Sequence, residues 1–314
     1  MKKVIVVLML VVLSVSLVSA SDLAGTAGMQ FLKIGADARG NSLSGAVISA
    51  VSGVDSIYWN PAGMTSMGNK EAMMTYNNWI GGMTYLYAGF GMPLLVSKLG
   101  KVGGSITFLS EGDVEQAAGN ITDLNSLGSY DLAISGAYSM KLGLVQVGGA
   151  IRFITKSVFG ENSTGVVIDL GGQMSIPSVN GLRAGMVVKN LGFASAIGDK
   201  PENMPLMYQV GVSYKYVQQD NTITGMLSSD IMIDDLPYVN IGAEYGYRGS
   251  VYVRLGYRVE TGGNAVGGAK GLSLGLGGRL EHAIPVIKGL RADVTWLPMS
   301  DLGNVMQLTF TVGF

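Results

Sequence analysis

The sequence predicts an all-β fold: a transmembrane antiparallel β-barrel of about fourteen strands with an N-terminal hatch or plug segment. The first observation behind that expectation is alternation. In Ser250 to Arg258, Val251, Val253, Leu255 and Tyr257 alternate with Tyr252, Arg254, Gly256 and Arg258, a period of two. The second is length, because the alternating segments often run 10 to 13 residues, close to the ~9–11 that cross a bilayer when tilted. Aromatic residues recur near their ends, at Trp79, Tyr208, Tyr238, Tyr247 and Trp296, where a membrane-interface girdle belongs. The third is the C-terminus, QLTFTVGF, which sets Leu308, Phe310, Val312 and Phe314 on one face. A soluble sandwich or propeller would bury such apolar faces in a core; a membrane barrel turns them outward to lipid and its polar faces toward the lumen.

Composition agrees. Glycine supplies 47 of 314 residues, charged residues are only 14%, cysteine is absent and mean hydropathy is +0.36. The absence of cysteine excludes disulfide scaffolds, thiolate metal sites and an acylated-cysteine anchor. A net charge of −1 provides no basic field for nucleic acid. After residue 20 no run of 18 apolar residues remains, so the apolar surface has to be covered by means other than a membrane-spanning helix.

Strands are expected near 70–78, 83–94, 101–110, 129–141, 144–158, 164–176, 182–190, 205–217, 222–232, 238–247, 250–259, 271–282, 289–298 and 303–314. The same two-face reading holds along them. Val147, Ile151 and Phe153 stand against Gln146, Arg152 and Lys156, and Val210, Val212, Tyr214 and Tyr216 against Gln209, Ser213 and Lys215. Farther on, Leu272, Leu274, Leu276 and Leu280 oppose Ser273, Arg279 and Glu281, and Leu290, Ala292, Val294 and Trp296 oppose Arg291, Asp293 and Thr295. The longer connectors, 111–128, 191–204 and 260–270, all follow odd-numbered strands, and the tight turns Lys141–Leu144 and Tyr247–Ser250 follow even ones. That asymmetry separates external loops from periplasmic turns and places both termini on the periplasmic side.

Ahead of the strands, Lys2 and Lys3 precede an apolar run to Val18, and Val18-Ser19-Ala20 has the small residues of a cleavage site. Residues 1–20 therefore read as a signal peptide, 21–68 as the hatch or plug segment and 69–314 as the barrel. Eight strands already enclose a space that side chains can fill; about fourteen leave a wider lumen, which the strand-free segment suits as a plug.

Within that segment stands IYWNPAGMTSMG, residues 57–68. Pro61 fixes its own φ and steers Asn60 away from helix, Asn60 can bond nearby backbone, and Gly63 reads as the residue that permits the turn. Tyr58 and Trp59 supply bulk to wedge the bend against a wall. Trp59, Asn60, Pro61, Ala62 and Gly63 form the candidate hatch motif, either a latch over a lumen route or a turn that folds the plug.

The run GMQFLKIGADARG at Gly28–Gly40, then Gly45-Ala46 and Tyr58-Trp59-Asn60-Pro61-Ala62-Gly63, resembles the start of the PorV/PorQ family of outer-membrane proteins. That family is related to the FadL-type long-chain fatty acid transporters, which share an Asn-Pro-Ala motif in an N-terminal hatch inside a fourteen-stranded barrel. The resemblance implies a location in the outer membrane of a Gram-negative-type bacterium, among outer-membrane lipid. It implies a role in type IX protein secretion, as cargo shuttle or attachment-complex partner of a secretion translocon. The alternative is FadL-like passive transport of a hydrophobic ligand such as a fatty acid. Cofactors and metals are not expected. External loops mostly under twenty residues leave little material for a large docking surface.

Enzyme signatures are weak. Gly271-Leu272-Ser273-Leu274-Gly275 matches G-x-S-x-G but lies within an alternating strand, not at a strand-to-helix elbow. The single histidine, His282, has no second histidine to form a metal site. The polar faces instead present lumen-facing candidates of both signs: Arg152, Glu244, Arg254, Arg258, Arg279, Glu281, Arg291 and Asp293, with Lys156, Asp169, Arg183 and Lys189 beside them. They either brace the barrel by pairing across strands and with the plug, or line a polar route and engage an anionic headgroup.

Overall fold

The computed structural model describes residues 26–95, 100–110, 129–158, 161–196, 202–260, 271–280, 289–299 and 302–314. The proposed signal peptide, Glu281 and His282 lie outside the described residues.

Alternating segments make a wall with two chemically different faces once each strand has two neighbours. The strands are β1 (Glu71–Asn78), β2 (Thr84–Pro93), β3 (Lys101–Ser110), β4 (Tyr130–Leu142), β5 (Val145–Val158), β6 (Glu161–Ser175) and β7 (Leu182–Ala194). They continue as β8 (Met207–Gln218), β9 (Asn221–Met232), β10 (Tyr238–Tyr247), β11 (Val251–Glu260), β12 (Leu272–Arg279), β13 (Arg291–Pro298) and β14 (Asn304–Gly313). Each pairs antiparallel with its sequence neighbours, and β1 pairs with β14 from Glu71↔Gly313 to Asn78↔Met306, closing the barrel.

Closure leaves no unpaired edge, which hydrocarbon surroundings require. The expected outward residues Ile151, Phe153, Tyr214, Tyr216, Val251, Val253, Leu255 and Tyr257 are all exposed, as are Leu308, Phe310 and Phe314. Tyr208, Tyr247 and Trp296 also stand on the outer face. Two girdle assignments need correction. Trp79 turns inward and packs against the interior cluster. Tyr238 shares the parity of buried Asn240 and Gly242, and its ring meets the Arg258 guanidinium at 5.1 Å.

The strand plan also changes at β7, expected to stop at residue 190 but reaching Ala194. The β6–β7 register shifts between Ile168 and Leu170, and Asn190 adopts a positive φ of 60°. This bulge absorbs one residue and lets pairing resume, so the connector that follows is shorter than expected.

The interior core is built largely by residues ahead of β1. Met29, Leu43, Val47, Ile57, Trp59, Met64 and Met67 cluster with inward-facing Tyr85, Tyr87, Leu109 and Ile154. This N-terminal segment is a series of short turns: 3-10 helices at Gln30–Lys33, Gly53–Asp55 and Pro61–Ser66, and one-turn α-helices at Ala38–Ser42 and Ser56–Trp59.

Candidate functional site

The Asn-Pro motif does more than turn the chain. Asn60 is fully buried in an extended conformation, and Pro61 occupies the first position of the following 3-10 helix, where its missing N–H costs nothing. Asn60 Oδ1 accepts from the Ala62 amide at 3.2 Å. Its Nδ2 then donates to Ile48 O at 2.9 Å and, at 3.2 Å each, to Gly172 O on β6 and Met186 O on β7. The motif is therefore pinned to the wall at β5–β7 rather than serving as a loose joint before β1. Trp59 donates Nε1–H to Asp37 Oδ1 and stacks edge-on against Tyr58, whose hydroxyl donates to Leu32 O at 3.0 Å. Burial, with Asp55 close by, pushes the Asp37 carboxyl up to about 6.

Gly63 corrects an expectation. It is not among the positive-φ residues, and glycine is needed there because a Cβ would stand 2.4 Å from Val51 O.

The same close-approach requirement recurs around the wall. A Cβ at Gly171 would lie 2.0 Å from Asn60 Oδ1, one at Gly148 2.4 Å from Pro61 C and one at Gly185 2.7 Å from Ile48 O. A Cβ at Gly256 would lie 2.5 Å from Ser44 N and one at Gly275 2.3 Å from Ser42 Cβ. Inward-facing glycines thus form a belt against which backbone can seat directly. Part of the high glycine content has this cause.

The N-terminal segment separates two cavities. The outer one, about 540 Å³, lies at the rim carrying the connectors after odd-numbered strands. Phe31, Ile34, Trp79, Met83, Leu109, Leu272, Leu297 and Pro298 give it apolar walls, among which stand Lys33, Asp131, Lys156 and Arg258. Gln30 and Lys33 are clamped there to Asp234, at 2.8 and 2.7 Å. The inner cavity, about 720 Å³, opens at the opposite end and is polar, with Arg39, Arg183, Lys215, Arg254, Arg279 and Arg291 on its walls beside Glu71 and Glu244.

A chain of alternating charges ties the segment to the wall. Arg291 Nη2 donates to Asp55 at 2.9 Å and its Nε to Asp293 at 2.6 Å; Arg254 donates to Asp293 and to Glu244, both at 2.7 Å; Arg39 donates to Glu244 at 2.9 and 3.1 Å. Six groups starting and ending on the N-terminal segment thus cross β10, β11 and β13, and each of the three carboxylates in this chain has a guanidinium partner, as burial of charge demands.

The sequence matches no protein-family profile and no curated protein. Solved structures do match. The monoaromatic hydrocarbon channel CymD superposes with a TM-score of 0.59 at 11% identity, covering 94% of this chain and 99% of its own. The Pseudomonas putida toluene transporter TodX gives 0.57 at 12%, covering 88% and 97%, and a Pseudomonas aeruginosa FadL homologue gives 0.55 at 10%, covering 88% and 98%.

The fold is that of the FadL-like outer-membrane barrels.

These likenesses reach the FadL-like level and do not single out PorV/PorQ. In this FadL-like barrel the described lumen residues that the sequence predicts divide among three groups, with Arg279 apart from them. Glu244, Arg254, Arg291 and Asp293 belong to the charge chain. Arg152 forms a second group on the opposite wall, donating to Asp169 at 2.8 Å and Asn190 at 3.1 Å at the β6–β7 bulge. Nearby, the Lys189 ammonium sits 3.6 Å from the centre of the Tyr58 ring. Arg258 joins a third, donating to Asn240 at 2.9 Å and Ser44 O at 3.3 Å. Arg279 faces Arg291 directly across β12–β13. Ser273, the serine of the G-x-S-x-G match, bonds Ser44 Oγ at 2.8 Å and donates to Ser42 O at 3.1 Å. Its hydroxyl holds the N-terminal segment.

Sequence reasoning missed the glycine belt and the partners that close the charge chain, Arg39 and Asp55. The belt had a signal: Gly148, Gly171, Gly185, Gly211, Gly256 and Gly275 all fall on the polar parity of their strands.

Proposed function

We propose that this protein is a passive outer-membrane conduit for a small hydrophobic molecule. Residues 26–68 act as its hatch, and Trp59, Asn60, Pro61, Ala62 and Gly63 as the latch that seats it. The observation that carries this reading is the outer vestibule: an apolar cavity of about 540 Å³ at the external rim, bounded below by hatch residues Phe31, Ile34 and Gly35, within the size range of small-ligand pockets. Its shape and chemistry suit an uncharged or weakly polar hydrocarbon entering from outside, and the hatch would have to shift for the molecule to continue. The names of the structural neighbours, a hydrocarbon channel and a toluene transporter, support the same class of cargo. The secretion-linked scaffold gains no comparable support, because among the described residues neither vestibule has a feature that calls for a protein partner.

The test is uptake of labelled toluene at limiting concentration by cells with and without the barrel, alongside Leu109→Arg, which fills the vestibule with a charged side chain. Uptake is expected to rise with the wild-type barrel and to fall to the barrel-free level with L109R, once heat-modifiable gel migration has shown that the variant is assembled. Equal uptake with and without the barrel would overturn the proposal.

A further inference from the structure

Among the described residues, the inner vestibule carries a positive charge that their pairing does not offset. Arg39, Arg254 and Arg291 belong to the alternating chain, each matched by carboxylates. Arg183, Lys215 and Arg279 line the same cavity, and among the described residues Glu71 is the one lining carboxylate outside that chain. Arg183 is half-buried, and among the described residues its guanidinium bonds only neutral acceptors: Nη2 donates to Oε1 of Gln146 at 3.1 Å and of Gln173 at 2.8 Å. Its Nε is buried without a hydrogen-bond partner. A guanidinium withdrawn from water without a counter-charge is costly, and its planar fork matches two oxygens of a carboxylate or phosphate.

Lys215 stands beside it. Arg183 pairs with Ser213 in the β7–β8 register, which makes Lys215 its diagonal neighbour on the same inward face, roughly 7–8 Å away in such pairs. The Lys215 amide is held by Gly181 O at 2.9 Å, so the strand positions the ammonium at the cavity wall. On the opposite wall Arg279 lies across from Arg291 in the β12–β13 register, and it adds a further cation to the cavity lining.

We infer that the inner vestibule is an oxyanion-binding site, with Arg183 and Lys215 as its main ligands, taking the carboxylate or phosphate group of a small molecule. The site lies on the far side of the hatch from the apolar vestibule and does not depend on the cargo read there.

Calorimetric titration of the full-length protein in detergent tests it, with inorganic phosphate and sodium octanoate as separate probes. The wild type is expected to bind phosphate, and R183Q/K215Q to bind it about tenfold more weakly or worse, as loss of charge-assisted contacts implies. K156Q, in the outer vestibule, should bind it unchanged. Displacement of phosphate by octanoate would support the site and identify its oxyanion as the head of an amphiphile; phosphate binding that octanoate leaves intact would support it as a site for free anions. No binding of either probe, or a double variant that binds as tightly as wild type, would overturn the inference. If the double variant does not assemble, K215Q alone is expected to weaken phosphate about threefold, and unchanged affinity there is equally fatal. Toluene uptake should survive R183Q/K215Q, so loss of anion binding and failure of the cargo reading are separately visible.

Discussion

Replacing Asn60 by alanine removes a side chain that, among the described residues, alone bonds the hatch to two wall strands at once. Ala62 N–H, fully buried, loses its acceptor, and the carbonyls of Gly172 and Met186 lose a donor. Ile48 O keeps its bond from Gln173 Nε2 at 2.8 Å, so it adds little to the loss. One buried donor left unpaired costs about 1–3 kcal/mol, and the lost wall contacts and small void about 1 kcal/mol more. The total of about 2–4 kcal/mol corresponds to a roughly 30- to 700-fold weaker docking of the hatch. Hydrogen exchange read by mass spectrometry on peptides covering residues 43–66 measures this directly. Protection should fall by that factor while the strand amides of β5–β7 keep theirs, because the barrel ladder is intact. Unchanged protection of the hatch peptides in N60A would refute the latch and reduce the motif to a turn.

Three further outcomes follow from the same geometry. Gly148→Val places a side chain where the Pro61 carbonyl carbon lies 2.4 Å from the Cβ site and should expel the Pro61–Ser66 turn, whereas Gly136→Val, with nothing within 4 Å, should leave hatch exchange unchanged. Arg254→Gln cuts the charge chain between Glu244 and Asp293; each carboxylate keeps a second arginine, so the expected loss lies at the low end for a broken buried pair, about 3 kcal/mol, read as a lower denaturation midpoint. The Asp37 carboxyl is raised by burial to about 6 from 3.8 in the docked hatch. The docked state therefore holds the proton more tightly than an undocked, hydrated one, and this contribution is full below about pH 4 and lost as pH rises through about 6. Hatch protection should be greater at pH 5 than at pH 7.5, and Asp37→Asn should flatten the difference.

The wall was legible because its rule is local. A period of two is set by the pleat, and membrane surroundings give each parity one chemistry, so Val253 and Arg254 declare opposite faces without knowledge of their neighbours. The first half of the Asn-Pro motif was legible for the same reason: Pro61 and the Asn60-to-Ala62 bond act within three residues. The β7 bulge was not, because pairing past Asn190 depends on Asp169 and Arg152, which come from other strands.

By itself, then, the sequence determined a membrane barrel of about fourteen strands, the face presented by most strand residues and an N-terminal segment without strands. Closure decided the rest. It brought Asn60 to Gly172 and Met186, Arg39 to Glu244 and Asp55 to Arg291, across separations of more than a hundred residues. It also showed that lumen glycines clear space for backbone, and that among the described residues Arg183 has no carboxylate in ion-pair contact. Such pairings depend on how the wall curves around the segment it encloses, and no periodicity along the chain encodes that curvature.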